Sequence, residues 1–225
     1  SNLVDAMHLV QAADRRGYYV IAVVAPAIAS QFSKATVGQV KTALRNFGFH
    51  DVVEAALGAD MVTRKETQEL AEKGFLTSSC CPAFVRYIQQ HVPEMAKHIS
   101  HNLSPMAEIC RYIKENSAWP VKTVFIGPCT AKKYEQKLPN VSPWVDCVIT
   151  FEELQAMLDA AGFPPEEQED LPVDDASYFG RIFARVGGLS EAVAQSAKEQ
   201  GLDIKPNPVV CSGIDECKVA LLKAK

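Results

Sequence analysis

The chain has 225 residues, of which 48% are hydrophobic, and a formal net charge of −4 at pH 7. This length and hydrophobic fraction are sufficient for one large domain, or two lobes, with a buried core. The small negative charge provides no broad basic surface, so we expect no nucleic-acid partner. The most apolar stretch, residues 18–29, has about half of the ~20 residues that a membrane-spanning helix needs and contains Pro26, so we expect no membrane span.

Seven cysteines, an odd number, are spread unevenly along the chain. A disulfide framework is typical of smaller, secreted and more cysteine-dense chains, so buried thiols, metal ligands or catalytic thiols are favoured here. No secretory signal is visible, and no Cys-x-x-Cys pair or Cys/His spacing indicates a structural zinc site. We therefore expect a reducing compartment, the cytoplasm.

Apolar runs rich in β-branched residues alternate with segments of helical period. We predict strands at 18–24, 75–78, 121–127 and 146–149, and helices at 36–47, 60–73 and 150–161. The firmest helix start is Thr150, which stands in capping-box spacing with Glu153. The pattern predicts an α/β fold, with two lobes of largely parallel sheet flanked by helices. The acidic, proline-containing segment 164–175 is expected to be a surface loop and is the best candidate for a boundary between lobes.

Two cysteine motifs follow predicted strands. Thr-Ser-Ser-Cys-Cys-Pro at 77–82 follows the strand at 75–78, and Gly-Pro-Cys-Thr-Ala-Lys-Lys-Tyr-Glu at 127–135 follows the strand at 121–127. Sites in open α/β sheets gather at the carboxyl ends of strands, so both motifs are candidates for one crevice. Adjacent side chains point in different directions, so one of Cys80 and Cys81 would bind a metal while the other faces a cavity. On spacing alone, two small core residues explain the pair equally well.

Cys129 lies between a predicted strand and a predicted helix. The amides and the dipole of a helix start favour a thiolate or a bound anion at this position. Lys132, one turn further along, would add a donor to the same anion. Taken alone the pair is a weak signal, because a lysine is usually a solvated surface residue.

Together, the two motifs closely resemble the first two signature motifs of iron-only ([FeFe]) hydrogenases. Val-Ala-Pro-Ala at 24–27, Leu-Ser-Pro at 103–105 and Gly-Gly at 187–188 also resemble segments of that family. The similarity covers nearly the whole chain, and two motifs in the right order are far more specific than either one. The resemblance implies that residues 1–225 form a truncated C-terminal H-cluster domain of the large subunit.

The family's active centre, the H-cluster, is a [4Fe-4S] cubane joined through one cysteine to a two-iron unit that carries CO, cyanide and a bridging dithiolate. By resemblance, Cys81 and Cys129 are two of the four cysteines that hold the cubane. The other two belong to a third motif with a Cys-x-x-x-Cys core, which does not occur in this sequence. Cys211 and Cys217 have the wrong spacing, and we expect packing residues or free thiols. The resemblance therefore implies that this chain binds an incomplete cluster or none and is inactive by itself.

The resemblance also implies a route for protons. Cys80 resembles the family's proton-exchanging thiol, Glu66 and Glu69 match its proton-relay glutamates, and Ser100 matches a relay serine. The two glutamates are three apart on a predicted helix and so share a face. Without the resemblance, a solvated helix face would be the expected interpretation of this pair.

Further positions match residues around the two-iron unit. Lys132 resembles the lysine that donates to a cyanide ligand. The positions matching the lining of the unit are Pro26, Ala27, Ser104, Pro105 and Gly127. Three residues differ from those that the family has at the matching positions. Gly127 replaces a methionine that is usual in the catalytic form, and Ala27 replaces a frequent serine. Lys73 replaces the arginine that ends the family's proton path. These departures indicate a divergent hydrogenase with altered activity or a sensory role.

The leading functional hypothesis is an oxidoreductase that interconverts protons and dihydrogen. Electrons would come from a ferredoxin-like protein or an N-terminal ferredoxin domain, and hydrogenase maturation proteins would install the cluster. The alternatives are an H-cluster hydrogen sensor and a non-enzymatic iron–sulfur assembly scaffold of the same fold. Cys80 argues against the scaffold, because scaffolds of that kind usually lack the first cysteine of the pair. A plain α/β domain with buried cysteines explains each motif singly but not their joint order.

Overall fold

The computed structural model describes residues 2–224, and its centre is a four-stranded sheet in the order β2-β1-β3-β4. All three strand pairings are parallel. The strands are β1 (Tyr19–Val24), β2 (Asp51–Glu54), β3 (Val121–Gly127) and β4 (Cys147–Thr150). The α/β class and the parallel sheet flanked by helices are thus confirmed, and the described residues form this single sheet.

Eleven α-helices are described within residues 2–224, together with two 3₁₀ turns at Pro93–His98 and Pro165–Glu167. None of these helices is both long and apolar enough to cross a lipid bilayer. The α-helices are α1 (Asn2–Arg16), α2 (Ile28–Gln31), α3 (Val37–Phe47), α4 (Ala55–Lys73), α5 (Pro82–His91), α6 (Pro105–Asn116), α7 (Ala131–Glu135), α8 (Phe151–Ala161), α9 (Tyr178–Ile182), α10 (Gly188–Glu199) and α11 (Ile214–Lys223).

Local sequence signals explain where several of these elements begin and end. Thr150 and Glu153 form the predicted capping box of α8. Thr36 forms a second capping box with Gln39 at the start of α3, and this helix ends at Gly48, whose φ is +121°. Side-chain caps satisfy amides that a helix start otherwise leaves without partners.

The predicted strand at 75–78 is wrong. Thr77 instead forms an isolated parallel bridge with Ile99. The amide of Thr77 donates to the carbonyl of His98, and the amide of Ser100 donates to the carbonyl of Thr77, both at 2.8 Å. This segment therefore pairs with the chain just before Ser100 and lies outside the main sheet.

The acidic segment 164–175 is largely exposed, as expected, and is attached to α3. The Thr36 hydroxyl donates to the carboxylate of Asp170 at 2.6 Å, and the Thr42 hydroxyl donates to the carbonyl of Glu169 at 2.7 Å. A Cβ atom at Gly38 would lie 2.0 Å from the Leu171 carbonyl oxygen, so the contact depends on a glycine there. The role of this segment as a lobe boundary stays a prediction.

The core explains why the predicted strands are so apolar. Helices α1, α3, α4, α6 and α8 pack against the strands of the sheet. Strands of a parallel sheet that is covered by helices are nearly continuously apolar. The four residues of β4 are all buried, as are the last five residues of β3. The sheet thus gives the loops at its carboxyl edge a rigid base.

Candidate functional site

The ends of β1 and β3 define one edge of the site. These strands are parallel neighbours, and Val24 lies opposite Ile126. The amide of Ala25 also donates to the Ile126 carbonyl at 2.9 Å. As a result, Pro26 and Ala27 leave the sheet at the same edge as the second cysteine motif.

Both predicted metal ligands lie just before a helix. Cys81 directly precedes the first turn of α5 and is extended, with φ −105° and ψ 104°. Pro82 occupies the first turn, as its position in the sequence predicts. Cys129 precedes Thr130, the N-cap of α7. The amides and dipole of a helix start stabilise a thiolate, so both positions suit thiolate ligands.

The two cysteine motifs lie beside each other. The Lys132 ammonium, on α7, donates to the Cys80 carbonyl at 3.0 Å. The Arg86 guanidinium, on α5, lies 4.7 Å from the centre of the Tyr134 ring on α7. Two sequence motifs about fifty residues apart are therefore brought together through these contacts.

Cys81 and Cys129 suit an iron–sulfur cluster in donor type but not in number. Thiolate is the usual ligand of such clusters, and both side chains are free thiols at least partly accessible to solvent. Within residues 2–224, however, no group of three or more Cys, His, Asp and Glu side chains is arranged to hold a metal ion. The described residues thus supply two thiols of the expected type but no complete set of ligands, and the ligand roles of Cys81 and Cys129 stay predictions.

Cys211 and Cys217 are also free thiols, as expected. Leu221, one turn beyond Cys217 on α11, packs into a cluster with Ile88 of α5 and Met95. Burial raises the pKa of Cys217, and the nearby thiols of Cys211 and Cys81 raise it further. This helix therefore packs on the element that begins at Cys81.

The Cys80 side chain packs against a small apolar cluster that contains Ala59 and Phe183. Burial raises the pKa of Cys80 to about 11; Glu66 raises it as well, while the Ser78 hydroxyl and Lys132 lower it. A thiol with this pKa keeps its proton at neutral pH. Cys80 is thus suited to hold a proton rather than to bind iron as a thiolate.

Glu66 is joined to this cysteine through Ser78. The Ser78 hydroxyl donates to the Glu66 carboxylate at 2.8 Å and accepts from the Cys80 amide at 3.2 Å. Glu66 is only 2% exposed. Burial raises its pKa, although hydrogen bonds from Ser78, Ser79 and Ser100 oppose the shift. Its protonated form is therefore favoured relative to an ordinary glutamate.

Glu69, one helical turn further along α4, has a different environment. The Ser100 hydroxyl donates to it at 2.8 Å and the Asn102 amide at 2.9 Å, and Lys73 forms an ion pair with it. Burial raises its pKa, but the hydrogen bonds of Lys73, Ser100 and the His101 amide outweigh this effect, so the pKa lies below its usual value. The two glutamates are thus tuned in opposite directions, as in sites that pass protons.

The structure therefore brings four predicted residues into one chain of contacts, Cys80, Glu66, Ser100 and Glu69. Ser78, His101 and Asn102 also belong to it, although none of them was among the predicted site residues. Ser78 lies within the first motif, two residues before Cys80, so its position offered a signal. His101 and Asn102 follow Ser100 directly, but their contacts with α4 span about thirty residues of sequence.

The remaining predicted residues lie around the same edge. Ser104 is buried and caps α6, with its hydroxyl accepting from the Ala107 amide, and Pro105 fills the first turn. Lys132 donates to Glu135 at 2.7 Å as well as to the Cys80 carbonyl. The contacts of these side chains with a two-iron unit stay predictions.

Gly127 is closely packed against an aromatic ring. A Cβ atom there would lie 2.5 Å from Cε1 of Phe125 and 3.5 Å from the Ala25 Cβ. Phe125 is buried, so its ring occupies the space that a side chain at 127 would need. The glycine that departs from the family pattern is therefore coupled to the large residue two positions earlier.

The chain is similar to iron hydrogenases and to an iron–sulfur cluster assembly factor. Residues 18–224 match a family model described as the iron only hydrogenase large subunit, C-terminal domain. The chain is 34% identical over 189 residues to Iron hydrogenase 1 of Clostridium pasteurianum. This alignment covers 75% of this chain and 33% of that protein. It is also 30% identical over 134 residues to the cytosolic Fe-S cluster assembly factor NAR1 of Meyerozyma guilliermondii. This alignment covers 52% of this chain and 25% of that protein.

A solved structure shows the same fold. The structure of HydA(deltaEFG), which concerns stepwise [FeFe]-hydrogenase H-cluster assembly, aligns with a TM-score of 0.76 at 24% identity. The alignment covers 92% of this chain and 59% of that one. The chain thus spans about a third of the length of the curated hydrogenase and about three fifths of the solved chain.

The opposite pKa shifts of the two glutamates predict opposite pH dependences of stability. Because the folded-state pKa of Glu66 is raised above 4.5, its ionisation weakens folding as the pH rises from about that value through the folded-state pKa. Because the folded-state pKa of Glu69 is lowered, its ionised form increases the free energy of unfolding. This stabilisation is present at higher pH and is lost as the pH falls through the folded-state pKa.

Urea unfolding between acidic and neutral pH would measure the free energy of unfolding of the unaltered chain, E66Q and E69Q. Each variant serves as the control for the other. Relative to the unaltered chain, E66Q should gain stability with increasing pH and E69Q should lose it. Slopes of the same sign for the two variants would contradict the assignment.

The contact between Gly127 and Phe125 predicts a coupled pair. G127A should destabilise the chain by about 1–3 kcal/mol, because the added methyl group overpacks a buried ring. In F125L the ring is absent, so adding G127A to it should cost less than G127A alone. Urea unfolding of the two single variants and the double variant would measure the coupling, and strictly additive losses would contradict it.

Proposed function

This chain belongs to the family of the iron only hydrogenase large subunit, C-terminal domain, and from that premise we propose that its parent protein interconverts protons and dihydrogen at an H-cluster. The observation that carries the proposal is the chain of contacts from Cys80 through Ser78 and Glu66 to Ser100 and Glu69. The Ser78 hydroxyl contacts both the amide and the thiol of Cys80, and the Ser100 hydroxyl contacts both carboxylates. Its members are the residues whose types suit proton exchange, and it runs from the cysteine motifs to the protein surface.

The cluster, when bound, would supply the electrons and the iron at which dihydrogen is formed or split. Cys81 and Cys129 would hold the cubane at the starts of α5 and α7. Lys132 would place a positive charge beside anionic ligands of the iron. The other protein groups around these residues orient them, as the contact of Lys132 with Glu135 illustrates.

Proton movement is assigned to the residues on α4 and in the loops that contact it. Cys80 holds a thiol proton, and Glu66, with its raised pKa, exchanges protons nearer to neutral pH than an ordinary carboxyl. Ser78 and Ser100 each place a hydroxyl beside these carboxylates. A hydroxyl both donates and accepts, so it passes a proton on without carrying a charge for long.

An iron–sulfur assembly scaffold is the second candidate, supported by the similarity to NAR1. A scaffold that only carries a cubane has no need for a buried thiol joined to a path for protons. Cys80 and its link to Glu66 therefore favour the hydrogenase. A hydrogen sensor would use the same path at a lower rate, and the departures at Gly127 and Ala27 are the features that support it.

The rest of the parent protein enters only as part of the proposal. We propose that electrons come from a ferredoxin-like protein or domain, that maturation proteins install the two-iron unit, and that the protein works in the cytoplasm. The named hydrogenase relative, which is much longer than this chain, leaves room for such additional domains.

Infrared spectroscopy tests the hydrogenase against the scaffold. The parent protein, produced together with hydrogenase maturation proteins, should show bands of iron-bound CO and cyanide and should evolve dihydrogen from a reduced electron donor. A protein that binds a cubane but never shows these bands would be a scaffold. Infrared bands with turnover only at a very low rate would favour the sensor.

Two cysteine variants test the division of labour. In the parent protein, C80A should keep its iron and lose turnover by about 10²-fold or more, because a proton-transfer group is removed. C129A should lose iron, because a thiolate ligand is removed. Iron analysis, infrared spectra and dihydrogen evolution would be measured together, with C211A as a control at a thiol outside the path. Equal loss of iron in C80A and C129A would contradict the assignment.

A further inference from the structure

His101 lies at the solvent end of the path. It follows Ser100, and its backbone amide donates to the Glu69 carboxylate at 3.2 Å. Its side chain is 81% exposed. Nδ1 of the ring lies 3.6 Å from Oε1 of Glu69 and 3.5 Å from Nζ of Lys73. The backbone is thus fixed at the carboxylate, while the ring is in contact with bulk water.

The other groups at this end are poorly suited to exchanging protons with neutral water. Glu69 has a lowered pKa, so it holds a proton weakly. Lysine side chains keep their proton at neutral pH, since their ordinary pKa is about 10.4. Imidazole is the side-chain group that ordinarily gains and loses a proton near neutral pH. The charged groups described beside the ring, Lys73 and Glu69, both lie on α4.

We infer that His101 collects and releases protons for Glu69, as the outermost group of the path that the proposed function requires. The Lys73 ammonium is a donor, so the neutral ring accepts at Nδ1 and carries its own proton on Nε2. Turned towards solvent, Nδ1 takes a proton from a buffer acid. Turned back, Nδ1 gives the same proton to Oε1 of Glu69, directly or through one water, and the ring returns to its starting form. The reverse sequence releases a proton from Glu69.

The first test measures the contact in the chain itself, without any cluster. Nitrogen NMR spectra of the histidine rings at neutral pH should show that E69Q shifts the Nδ1 resonance of His101, because the carboxylate beside this nitrogen is removed. K73Q should shift the same resonance, because the ammonium group in contact with Nδ1 is removed. His91, which lies against Tyr87 on α5, is the control ring and should not respond. An Nδ1 resonance of His101 that is unchanged in both variants would overturn the inference.

The second test measures proton delivery in the parent protein. H101Q should lower dihydrogen turnover by about tenfold in dilute buffer, below the usual range for a group that acts at the reacting atoms. Added imidazole should restore the rate, and H91Q should behave like the unaltered protein. Iron content and infrared bands should be the same in all three proteins.

The outcomes distinguish a failure of the role of His101 from a failure of the proposed hydrogenase function. A turnover loss in H101Q that imidazole does not reverse, or no loss at low buffer concentration, refutes the role of His101 and leaves the hydrogenase assignment intact. No turnover in the unaltered protein refutes the proposed function and the role of His101 with it.

Discussion

The parallel pairing of β1 with β3 is the constraint on which the site depends. Because Val24 lies opposite Ile126, the two strands end together and their next residues leave the sheet at one edge. A shift of register by one residue would move every side chain of the shifted strand to the other face. The position of Cys129 relative to Pro26 is therefore set by a run of backbone hydrogen bonds and by the buried apolar residues between the helical layers.

The second constraint is the packing of α4 against the loops that carry Cys80 and Ser100. Two acidic side chains are placed in this interface, and a buried carboxylate weakens folding unless hydrogen bonds satisfy it. Ser78 supplies such a bond to Glu66, and Ser100 supplies one to Glu69. Among the described residues, no buried side-chain nitrogen or oxygen atom lacks a hydrogen-bond partner. The polar path is thus compatible with an otherwise apolar interior because each of its members is paired.

The sequence predicted the bounds of those helices and strands whose ends are set by neighbouring residues. Thr150 with Glu153, and the apolar run at 121–127, gave α8 and β3 their observed bounds. The short strand β2 and the true start of α4 were missed, because no cap or turn separates Glu54 from Ala55. The strand predicted at 75–78 failed because its partner, Ile99, lies outside the sheet, which a local pattern does not reveal.

The site was predicted in the same uneven way. The roles of the residues in the two motifs came from the family resemblance, because spacing alone explained Cys80 and Cys81 equally well as site residues and as small core residues. Their contacts depend on tertiary structure, as the bond between Lys132 and the Cys80 carbonyl illustrates. Asn102 was missed for the same reason, since its amide reaches a carboxylate that is distant in sequence.

The core of the sheet lies apart from the two cysteines that are proposed to bind a cluster. Cys81 and Cys129 begin helices at the rim, whereas the main core is formed by apolar residues of the strands and their covering helices. The rim is held by its own contacts, such as Arg86 with Tyr134. A metal ion adds folding free energy where its ligands would otherwise be unconstrained. Here the two cysteine motifs are already brought together by protein contacts, so an iron–sulfur cluster would enter a largely preformed rim and would stabilise the loops more than the sheet.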